Sequence, residues 1–335
     1  MVKKLLIDMD YIKYQIGAAG EKRTVDVVHK PTGRVKTFDN RTAFYGHHKK
    51  KSGGFLAETN LSRMQDGKQP FALEEFEFID KQQAEPVEFI LSSVKNHINN
   101  MVEKLGVDEY YGYIGKGDSW RVEASTIVKY KGSRSSLIKP VHLEEVEKYL
   151  ITNHKGIIKR DLEADDWCVI DCTNDPELIL AGVDKDYFGN NLKFYIHGEM
   201  ETPQQISGFG NLYINDKGAV KGSGYLWWLH QICSGDDSDE YWANSACPEK
   251  RWGEKSSYKA LVNCKNEKEA WEAAIAVYKK LYPAPKMITG WRGDTFEVDW
   301  KYVMNENCVM SRMMTSEDYK FNLNEELDKY GVNYE

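Results

Sequence analysis

The sequence has few prolines and no paired cysteines. Its 335 residues include 9 Pro and 6 Cys, and the cysteines are scattered without a Cys-x-x-Cys pair. This scarcity excludes a disulfide scaffold and a collagen-like chain, and it predicts reduced, buried thiols in an intracellular protein. Cys168 and Cys172 are one helical turn apart, but no second pair accompanies them. We therefore interpret them as small core residues and not as zinc ligands.

Apolar stretches long enough to span a membrane are also missing. The N-terminal segment reaches Asp8 before a signal-peptide core could form. We therefore expect a cytoplasmic protein that has no membrane partner. With 41% hydrophobic and 29% charged residues, the composition predicts one large α/β body with an added module.

A net positive charge is lacking as well, because 45 Lys and Arg stand against 52 Asp and Glu, a balance of −7. Nucleic-acid binding is driven by Lys and Arg, so this total argues against a nucleic-acid partner. Nine carboxylates, however, fall in four short clusters, and without them the balance is +2. Cations bound at the clusters would neutralise them, which keeps nucleic acid among the candidate partners. The nine are Asp8, Asp10, Glu163, Asp165, Asp166, Asp184, Asp186, Asp236 and Asp239.

Alternating strand and helix patterns indicate an α/β fold. Apolar runs at residues 4–7, 110–114, 178–183 and 192–196 predict buried strands. Helices are predicted after Pro86 with a stop at Gly106, at 143–152, and from about Leu162. The alternation predicts a mostly parallel central sheet with helices on both faces.

An insertion and a helical C-terminal region complete the expected organisation. Residues 24–28 and 34–38 predict a hairpin, and the basic, Gly-rich residues 40–67 predict an exposed loop or arm. Further helices are expected at 226–232, 267–281 and 300–314. We therefore place an α/β domain at 1–222, with an inserted hairpin and basic arm at about 20–85. A helical region follows at 223–335, and the ending of its acidic tail, which begins at Ser316, is expected to be loosely ordered.

Four acidic clusters carry the chemistry. They are Ile7-Asp8-Met9-Asp10, Glu163-Ala164-Asp165-Asp166, Asp184-Lys185-Asp186 and Gly235-Asp236-Asp237-Ser238-Asp239. Each lies where a predicted element ends or begins, and crowded carboxylates raise one another's pKa unless they are solvated, paired or bound to cations. Such oxygen ligands suit Mg²⁺ or Mn²⁺. A helix cap or a solvated turn is the better explanation of any single cluster, whereas four together favour a metal centre.

Many carboxylates and two hard cations are typical of phosphodiester hydrolysis, in which metals about 3.5–4 Å apart activate a water and stabilise the leaving oxygen. A basic turn, Lys129-Tyr130-Lys131-Gly132-Ser133-Arg134, lies between the first two clusters, with Lys139 beyond it. Lys131 can offset charge on a scissile phosphate, Arg134 can hold a neighbouring phosphate, and Tyr130 offers a ring for base stacking. The alternative is an ordinary basic surface turn.

The ordered series of these motifs resembles the flap endonuclease/5′→3′ exonuclease family, in particular the exonucleases of tailed bacteriophages. The resemblance includes the run Trp227-Trp228-Leu229-His230-Gln231 and extends from residue 5 to about 315, apart from the insertion. It implies a PIN/FEN-like nuclease core and a DNA-binding helix-three-turn-helix after Asp239. It also implies two-metal hydrolysis of DNA phosphodiesters in phage DNA replication or recombination.

The same resemblance implies roles for individual residues. Two ions, Mg²⁺ or Mn²⁺, would be bound, and a monovalent cation would fit at the helix-three-turn-helix. Lys131 would contact the scissile phosphate, with Arg134 beside it, and Tyr130 would stack on the terminal nucleotide. Substrate would also be bound by Lys129, Lys139, Lys255 and Ser256. The ligands would be Asp8, Glu163, Asp165 and Asp166 for one ion, and Asp184, Asp186, Asp236 and Asp239 for the other ion or its water shell.

The sequence departs from the family pattern at three places. Lys116 stands in the register where many members have a metal-linked Asp, so it stays open whether Asp10 or Asp118 binds metal. The glycine hairpin of the helix-three-turn-helix is reduced to residues 252–257, Trp-Gly-Glu-Lys-Ser-Ser. Residues 47–51, His-His-Lys-Lys-Lys, have no counterpart in the family, and both a DNA clamp and a solvated basic loop are compatible with them.

Three functions are compatible with the sequence. The first is a monomeric 5′→3′ exonuclease or flap endonuclease acting on DNA with 5′ ends, flaps or nicks, with RNA in RNA–DNA hybrids as a further substrate. The second is a catalytically weakened, structure-specific DNA-binding protein, which Lys116 supports. The third is a PIN-type ribonuclease, which would not need the helical segment after Asp239.

Overall fold

The computed structural model describes residues 2–46 and 53–334, so the basic segment 47–51 lies outside the described residues. The chain divides into two compact units. The main unit consists of Met1–Lys13, Lys95–Ile138 and Glu147–Glu335, and the inserted unit of Tyr14–Val94 and Lys139–Val146. Within the described residues, no helix has the length and apolarity needed to cross a membrane.

The chain contains both strands and helices. The strands are β1 (Lys4–Asp8), β2 (Glu21–His29), β3 (Arg34–Phe38), β4 (Phe76–Ala84), β5 (Glu109–Gly115), β6 (Gly156–Lys159), β7 (Ile179–Ala181), β8 (Leu192–Tyr195), β9 (Gln204–Ile206), β10 (Asn211–Ile214), β11 (Val220–Ser223), β12 (Lys286–Thr289) and β13 (Thr295–Val298). The helices are α1 (Met9–Tyr11), α2 (Gly17–Ala19), α3 (Arg41–Tyr45), α4 (Phe55–Gln65), α5 (Val87–Leu105), α6 (Trp120–Ala124), α7 (Leu143–Asn153), α8 (Ala164–Asn174), α9 (Gly224–Ser234), α10 (Glu254–Leu261), α11 (Glu267–Leu281), α12 (Trp300–Ser311) and α13 (Leu323–Lys329).

A mostly parallel sheet forms the centre of the main unit, with the strand order β6-β5-β1-β7-β8-β9. β1 is parallel to both of its neighbours, so that Leu6 lies opposite Tyr111 of β5 and Leu180 of β7. β6 and β8 continue the parallel pairing, and β9 joins β8 antiparallel. Helix α8 packs against β1, β5 and β8. The predicted α/β fold with a mostly parallel sheet is thereby confirmed.

The central position of β1 explains its composition. A parallel strand inside a sheet is covered on both faces and reads as a continuous apolar run. Residues 5–7 of β1 are accordingly fully buried. Cys168 and Cys172 on α8 are buried free thiols, as the sequence predicts for small core residues.

The C-terminal helices of the main unit form a second core around two tryptophans. Trp228 of α9 and Trp271 of α11 are almost fully buried and pack edge to face. Helix α13, in the acidic tail, buries Leu323 and Leu327 in this core, and a loosely ordered ending of the tail stays a prediction. Sequence inspection also misses the hairpins β10–β11 and β12–β13, whose strands are only four residues long. The main unit continues across residue 222. The domain boundary expected near this residue stays a prediction.

The inserted unit contains a three-stranded antiparallel sheet in the order β3-β2-β4. The predicted hairpin of β2 and β3 is confirmed. The prediction of a loop or arm at 40–67 is wrong for its described part, because α3 and α4 lie there. Asn40 caps α3 by accepting a hydrogen bond from the amide of Ala43, and the Phe44 ring is buried among Phe38, Phe55 and neighbouring rings. Helix capping and aromatic burial thus stabilise helices that the polar composition of residues 40–67 does not predict.

Candidate metal centre

The acidic clusters meet at the carboxyl end of the parallel strands. β1 ends at Asp8, and its parallel neighbour β7 ends three residues before Asp184. The chain therefore leaves both strands at one edge of the sheet, where α/β proteins bind ligands. Helix α8 adds the second cluster, because Glu163 is its N-cap residue and Asp165 and Asp166 lie in its first turn.

Glu163, Asp165 and Asp166 form the tightest acidic group. Their carboxylate oxygens lie within 4.8 Å of one another, a spacing that could hold a metal ion. Among residues 2–46 and 53–334, no other group of three His, Cys, Asp or Glu ligands has this spacing. The helix N-terminus lowers the cost of this crowding, since the helix dipole favours negative charge there.

Arg121, which the sequence analysis did not single out, is the buried counter-ion of this group. Its Nη1 donates to Glu163 Oε2 at 2.6 Å and to Asp166 Oδ2 at 2.7 Å, and its Nη2 donates to Asp166 Oδ1 at 2.8 Å. The amide of Met314 donates to Asp166 Oδ1 as well, at 2.9 Å. Both oxygens of Asp166 are therefore already hydrogen-bonded, and Asp166 can bind a cation only in competition with Arg121. The only signal for it in the sequence was a single arginine between β5 and the basic turn.

Asp165 has the most unused ligand capacity in the group. Oδ1 accepts a hydrogen bond from the amide of Asp166 at 2.8 Å. Burial, and then the negative charges of Glu163 and Asp166, raise the pKa of Asp165 well above its usual range. A divalent cation would reverse this effect, because it stabilises the ionised carboxylate.

Lys131 lies at the edge of the acidic group. Its Nζ is ion-paired with Glu163 and is 3.8 Å from Asp239 Oδ1. Although burial acts against the charged form, Glu163 and Asp239 raise the pKa of Lys131. The same ion pair with Lys131, together with Arg121, outweighs burial at Glu163 and lowers the pKa of Glu163 to about 2. Lys131 and Glu163 are thus both charged at neutral pH.

Arg134 and Tyr130 also contact Asp239. Arg134 Nη2 lies 3.0 Å from Asp239 Oδ1, and the side chain of Arg134 is 47% exposed. The Tyr130 hydroxyl lies 2.9 Å from Asp239 Oδ2 and 3.2 Å from Glu163 Oε2. The Tyr130 ring is only 3% exposed and packs with Tyr241 and other apolar side chains. The ring has no free face in this conformation, and the stacking of Tyr130 on a nucleotide stays a prediction.

Asp8 is linked to the rest of the centre through Tyr187. The Tyr187 hydroxyl donates to Asp8 Oδ2 at 3.0 Å, and both side chains are buried. Burial, followed by the charge of Asp10, raises the pKa of Asp8 to about 7. Burial and the negative charges of Asp8, Asp165 and Asp184 raise the pKa of Tyr187, so charges from three clusters act on this hydroxyl.

The third and fourth clusters lie together. Asp184 caps the turn after β7 by accepting from the amide of Asp186 at 2.9 Å, and Asp186 accepts from the side chain of Gln231. Burial and then Asp184 raise the pKa of Asp186 well above its usual range. Asp236 is paired with Lys185 at 2.6 Å, and this ion pair outweighs burial and lowers the pKa of Asp236.

The strand end at Lys116 carries a separate ion-pair chain. Lys116 Nζ lies 2.7 Å from Glu147. Lys13 Nζ lies 3.5 Å from Glu147 and 2.8 Å from Asp10. Asp10 also accepts from the amide of Gly115 at 3.1 Å. Asp118 is exposed, two residues beyond Lys116. The protein's own cations therefore balance Asp10.

The other predicted substrate-binding residues are dispersed. Lys129 is exposed, and its Nζ lies 5.4 Å from the centre of the Trp291 ring. Lys255 and Ser256 lie in the first turn of α10, where the amide of Ser256 donates to the Gly253 carbonyl at 2.9 Å. Lys139 is exposed and belongs to the inserted unit.

The donor set fits hard divalent cations. All eight predicted ligands are carboxylates, and Asp8, Asp165, Asp186 and Asp239 have raised pKa values because of burial and of neighbouring charges. Oxygen-only ligand sets of this kind suit Mg²⁺ or Mn²⁺. The chain thus holds more negative charge at this edge than its own Lys and Arg side chains balance.

No family model matches the chain, and no curated protein matches it. Among solved structures, T5 5′-exonuclease with bound divalent metal ions (zinc) is similar at a TM-score of 0.38 and 14% identity, over 81% of this chain and 94% of that one. A T5 protein co-crystallized with metal ions has a TM-score of 0.36 and 12% identity, over 72% and 90% of the two chains. A T5 5′-exonuclease mutant has a TM-score of 0.34 and 12% identity, over 72% and 89%.

Proposed function

We propose that this chain is a divalent-metal-dependent nuclease that hydrolyses DNA phosphodiesters at or near 5′ ends, as a 5′→3′ exonuclease or flap endonuclease. The observation that carries the proposal is the close acidic group of Glu163, Asp165 and Asp166, with Lys131 ion-paired to Glu163. A role in phage DNA replication or recombination rests on the motif resemblance alone.

The proposed ligands divide into two sets. One ion would be held by Asp8, Glu163, Asp165 and Asp166, and the other by Asp184, Asp186, Asp236 and Asp239. Mg²⁺ or Mn²⁺, when bound, would lower the pKa of a water and stabilise the leaving oxygen. Of the three carboxylates at the start of α8, Asp165 would bind most readily, since Arg121 already engages Glu163 and Asp166.

The basic residues would act on the phosphate backbone. Lys131 Nζ lies at the edge of the acidic group and would exchange its contact with Glu163 for the scissile phosphate. Arg134, which is half-exposed beside Asp239, would hold a neighbouring phosphate. Lys129 is exposed and would add a weaker electrostatic contact.

The decisive experiment is cleavage of end-labelled DNA by the full chain. Substrates are a 5′ flap, a nicked duplex, a blunt duplex, an RNA–DNA hybrid and single strands, each with Mg²⁺, Mn²⁺ or EDTA. Asp165→Asn and Asp184→Asn test the two ligand sets. Asp216→Asn is the matched control, because Asp216 is exposed in the turn between β10 and β11.

We expect cleavage that requires a divalent cation, starts at 5′ ends or flaps, and is lost in both ligand variants but not in the control. A wild type that binds DNA tightly and cuts nothing with either metal would instead establish the DNA-binding alternative. Cleavage confined to single-stranded RNA would establish the PIN-type ribonuclease. Full rates in both Asn variants would refute the ligand assignment.

A further inference from the structure

The turn between β12 and β13 holds the end of α6, which leads into the basic turn. The last carbonyl groups of a helix have no partner within the helix. In α6 they accept from one guanidinium: Arg292 Nη1 donates to the carbonyl of Ser125 at 2.6 Å. Arg292 Nη2 donates to the carbonyls of Val122 at 2.7 Å and Glu123 at 3.1 Å. Arg292 thus caps α6 from a distant part of the chain, where a positive charge also suits the helix dipole.

The rest of this turn lies against the same segment. Trp291 Nε1 donates to the Ser125 carbonyl at 2.9 Å. A Cβ on Gly290 would lie 2.3 Å from the carbonyl oxygen of Thr126, so the close approach requires glycine. The turn is therefore built to fit the backbone of residues 125–126.

Glu306 of helix α12 accepts hydrogen bonds from amide groups of the same backbone segment. Glu306 Oε1 accepts from the amides of Thr126 at 3.1 Å and Ile127 at 3.0 Å, and its second oxygen accepts from the Thr126 hydroxyl. These amides belong to a segment without regular structure, and buried amides of that kind need partners from elsewhere. Arg292 and Glu306 together therefore satisfy the carbonyls of residues 122, 123 and 125 and the amides of residues 126 and 127.

Ser125 carries this constraint to the basic turn. Its hydroxyl accepts from the amide of Tyr130 at 3.3 Å and donates to the carbonyl of Val122 at 3.0 Å. Lys131, the next residue, has a φ of +52°, which a non-glycine residue adopts only where its surroundings impose it. The path from Arg292 to Lys131 runs through Ser125 and the amide of Tyr130.

We propose that Arg292 and Glu306 are positioning residues that hold residues 122–130 and thereby place Lys131 for catalysis before DNA binds. The inference rests on the proposed function for the statement that Lys131 acts on a phosphate. The hold on the backbone does not depend on it. Because the contacts go to main-chain atoms, the arrangement restricts the course of the segment whatever side chains it carries.

The test compares Arg292→Ala, Arg292→Lys and Glu306→Gln with the wild type. Lys286→Ala is the control, since it removes a positive charge from the same hairpin without touching residues 122–127. Two readouts are taken on the full chain: amide hydrogen exchange without DNA or metal, and single-turnover cleavage of a 5′-flap DNA with Mg²⁺, beside its dissociation constant.

For Arg292→Ala we expect exchange at residues 125–131 to rise about tenfold, while exchange in β1 and β7 is unchanged. The cleavage rate should fall about tenfold to a hundredfold, because small misplacements of a reacting group are costly. DNA affinity should change less than about threefold. Arg292→Lys should restore part of the rate, and Glu306→Gln should also loosen the segment.

Unchanged exchange at 125–131 in both Arg292→Ala and Glu306→Gln would overturn the inference whatever the activity. Looser exchange with a wild-type cleavage rate would overturn it too, because Lys131 would then not need the hold. If the wild type itself cuts nothing while exchange rises as expected, the proposed function has failed and the backbone hold stands. If Arg292→Ala unfolds, exchange rises in β1 and β7 as well, and Arg292→Lys and Glu306→Gln then decide.

Discussion

Arg121 and Asp166 form a buried bidentate ion pair, with Nη1 2.7 Å from Oδ2 and Nη2 2.8 Å from Oδ1. The two side chains are 3% and 0% exposed. Arg121 lies in α6, which leads into the basic turn, and Asp166 lies in the first turn of α8. The pair therefore joins the segment that contains Lys131 to the segment that contains Glu163. Parallel hydrogen bonds of this kind fix orientation as well as distance.

Removing Arg121 should therefore destabilise the whole main unit. Arg121→Ala leaves the Asp166 carboxylate buried without its partner, and we expect a loss of about 3–5 kcal/mol in the free energy of unfolding. Arg121→Lys keeps the charge but not the fork of donors, so its loss should be smaller. Urea unfolding measures both. Arg160→Ala, at an exposed site, is the control and should change stability by less than about 0.5 kcal/mol. Equal losses for Arg121→Ala and the control would show that the pair contributes no net stability.

The raised pKa of Asp8 predicts a pH dependence of stability in the absence of metal. The pKa is about 7 in the folded protein against 3.8 ordinarily, so the folded state binds the proton more tightly. Stability from this group is full below about pH 4 and is lost as the pH rises through 7. Relative to Asp8→Asn, the wild type should lose roughly 4 kcal/mol over this range, since one pKa unit is worth about 1.4 kcal/mol. Denaturant unfolding at pH 4 to 8 in EDTA measures the difference. A difference that does not change with pH would contradict the shift.

Divalent cations should stabilise the folded protein through the acidic clusters. At Mg²⁺ concentrations about a hundredfold above the dissociation constant, one site adds about 2.7 kcal/mol to the free energy of unfolding. Asp165→Asn and Asp184→Asn should each lose most of this gain, whereas Asp216→Asn should keep it. Unfolding curves with Mg²⁺ and with EDTA provide the measurement, and they need no DNA. An equal gain in all four proteins would place the cations elsewhere.

Lys131→Ala should reduce the cleavage rate much more than DNA binding. We expect a loss of about a hundredfold or more in the single-turnover rate, as for other groups that stabilise charge in the transition state. The dissociation constant should change only a few-fold. Alanine, unlike glycine, does not relieve the strain of the Lys131 backbone at φ +52°. The variant therefore tests the loss of the side chain alone. Lys217→Ala, in an exposed turn, is the matched control. Equal losses in rate and in binding would assign Lys131 to substrate affinity alone.

Tyr130→Phe should lower stability, because the hydroxyl beside Asp239 and Glu163 is buried. Losing one hydrogen bond to a charged group predicts a loss of about 1.5–3 kcal/mol. A stacking residue would behave differently, since phenylalanine keeps the ring and would leave both stability and DNA affinity unchanged. Thermal unfolding and DNA titration of Tyr130→Phe distinguish the two roles. Tyr213→Phe, at an exposed tyrosine, controls for the loss of a hydroxyl.

Local patterns in the sequence were sufficient for the α/β fold and for the acidic clusters. The apolar run of β1 and the acid that follows it predict both the buried strand and the sheet edge, because strand burial depends on nearest neighbours and on period. The same holds for α5, whose amphipathic pattern and Gly106 stop predict its extent. Helices α3 and α4 were not predicted from the sequence, because their stability comes from Phe44 packing against other rings and not from local propensity.

The tertiary structure alone decided how the charges are shared. Nothing near Asp166 in the sequence indicates Arg121, which is 45 residues away and becomes its partner only when α6 meets α8. Nothing near Tyr130 indicates that its ring is buried. The carboxylates themselves were readable from the sequence, since residue type determines which atoms can bind a cation. Which of them remain available depends on partners that are distant in the chain, because burial and charge pairing are properties of the folded surroundings.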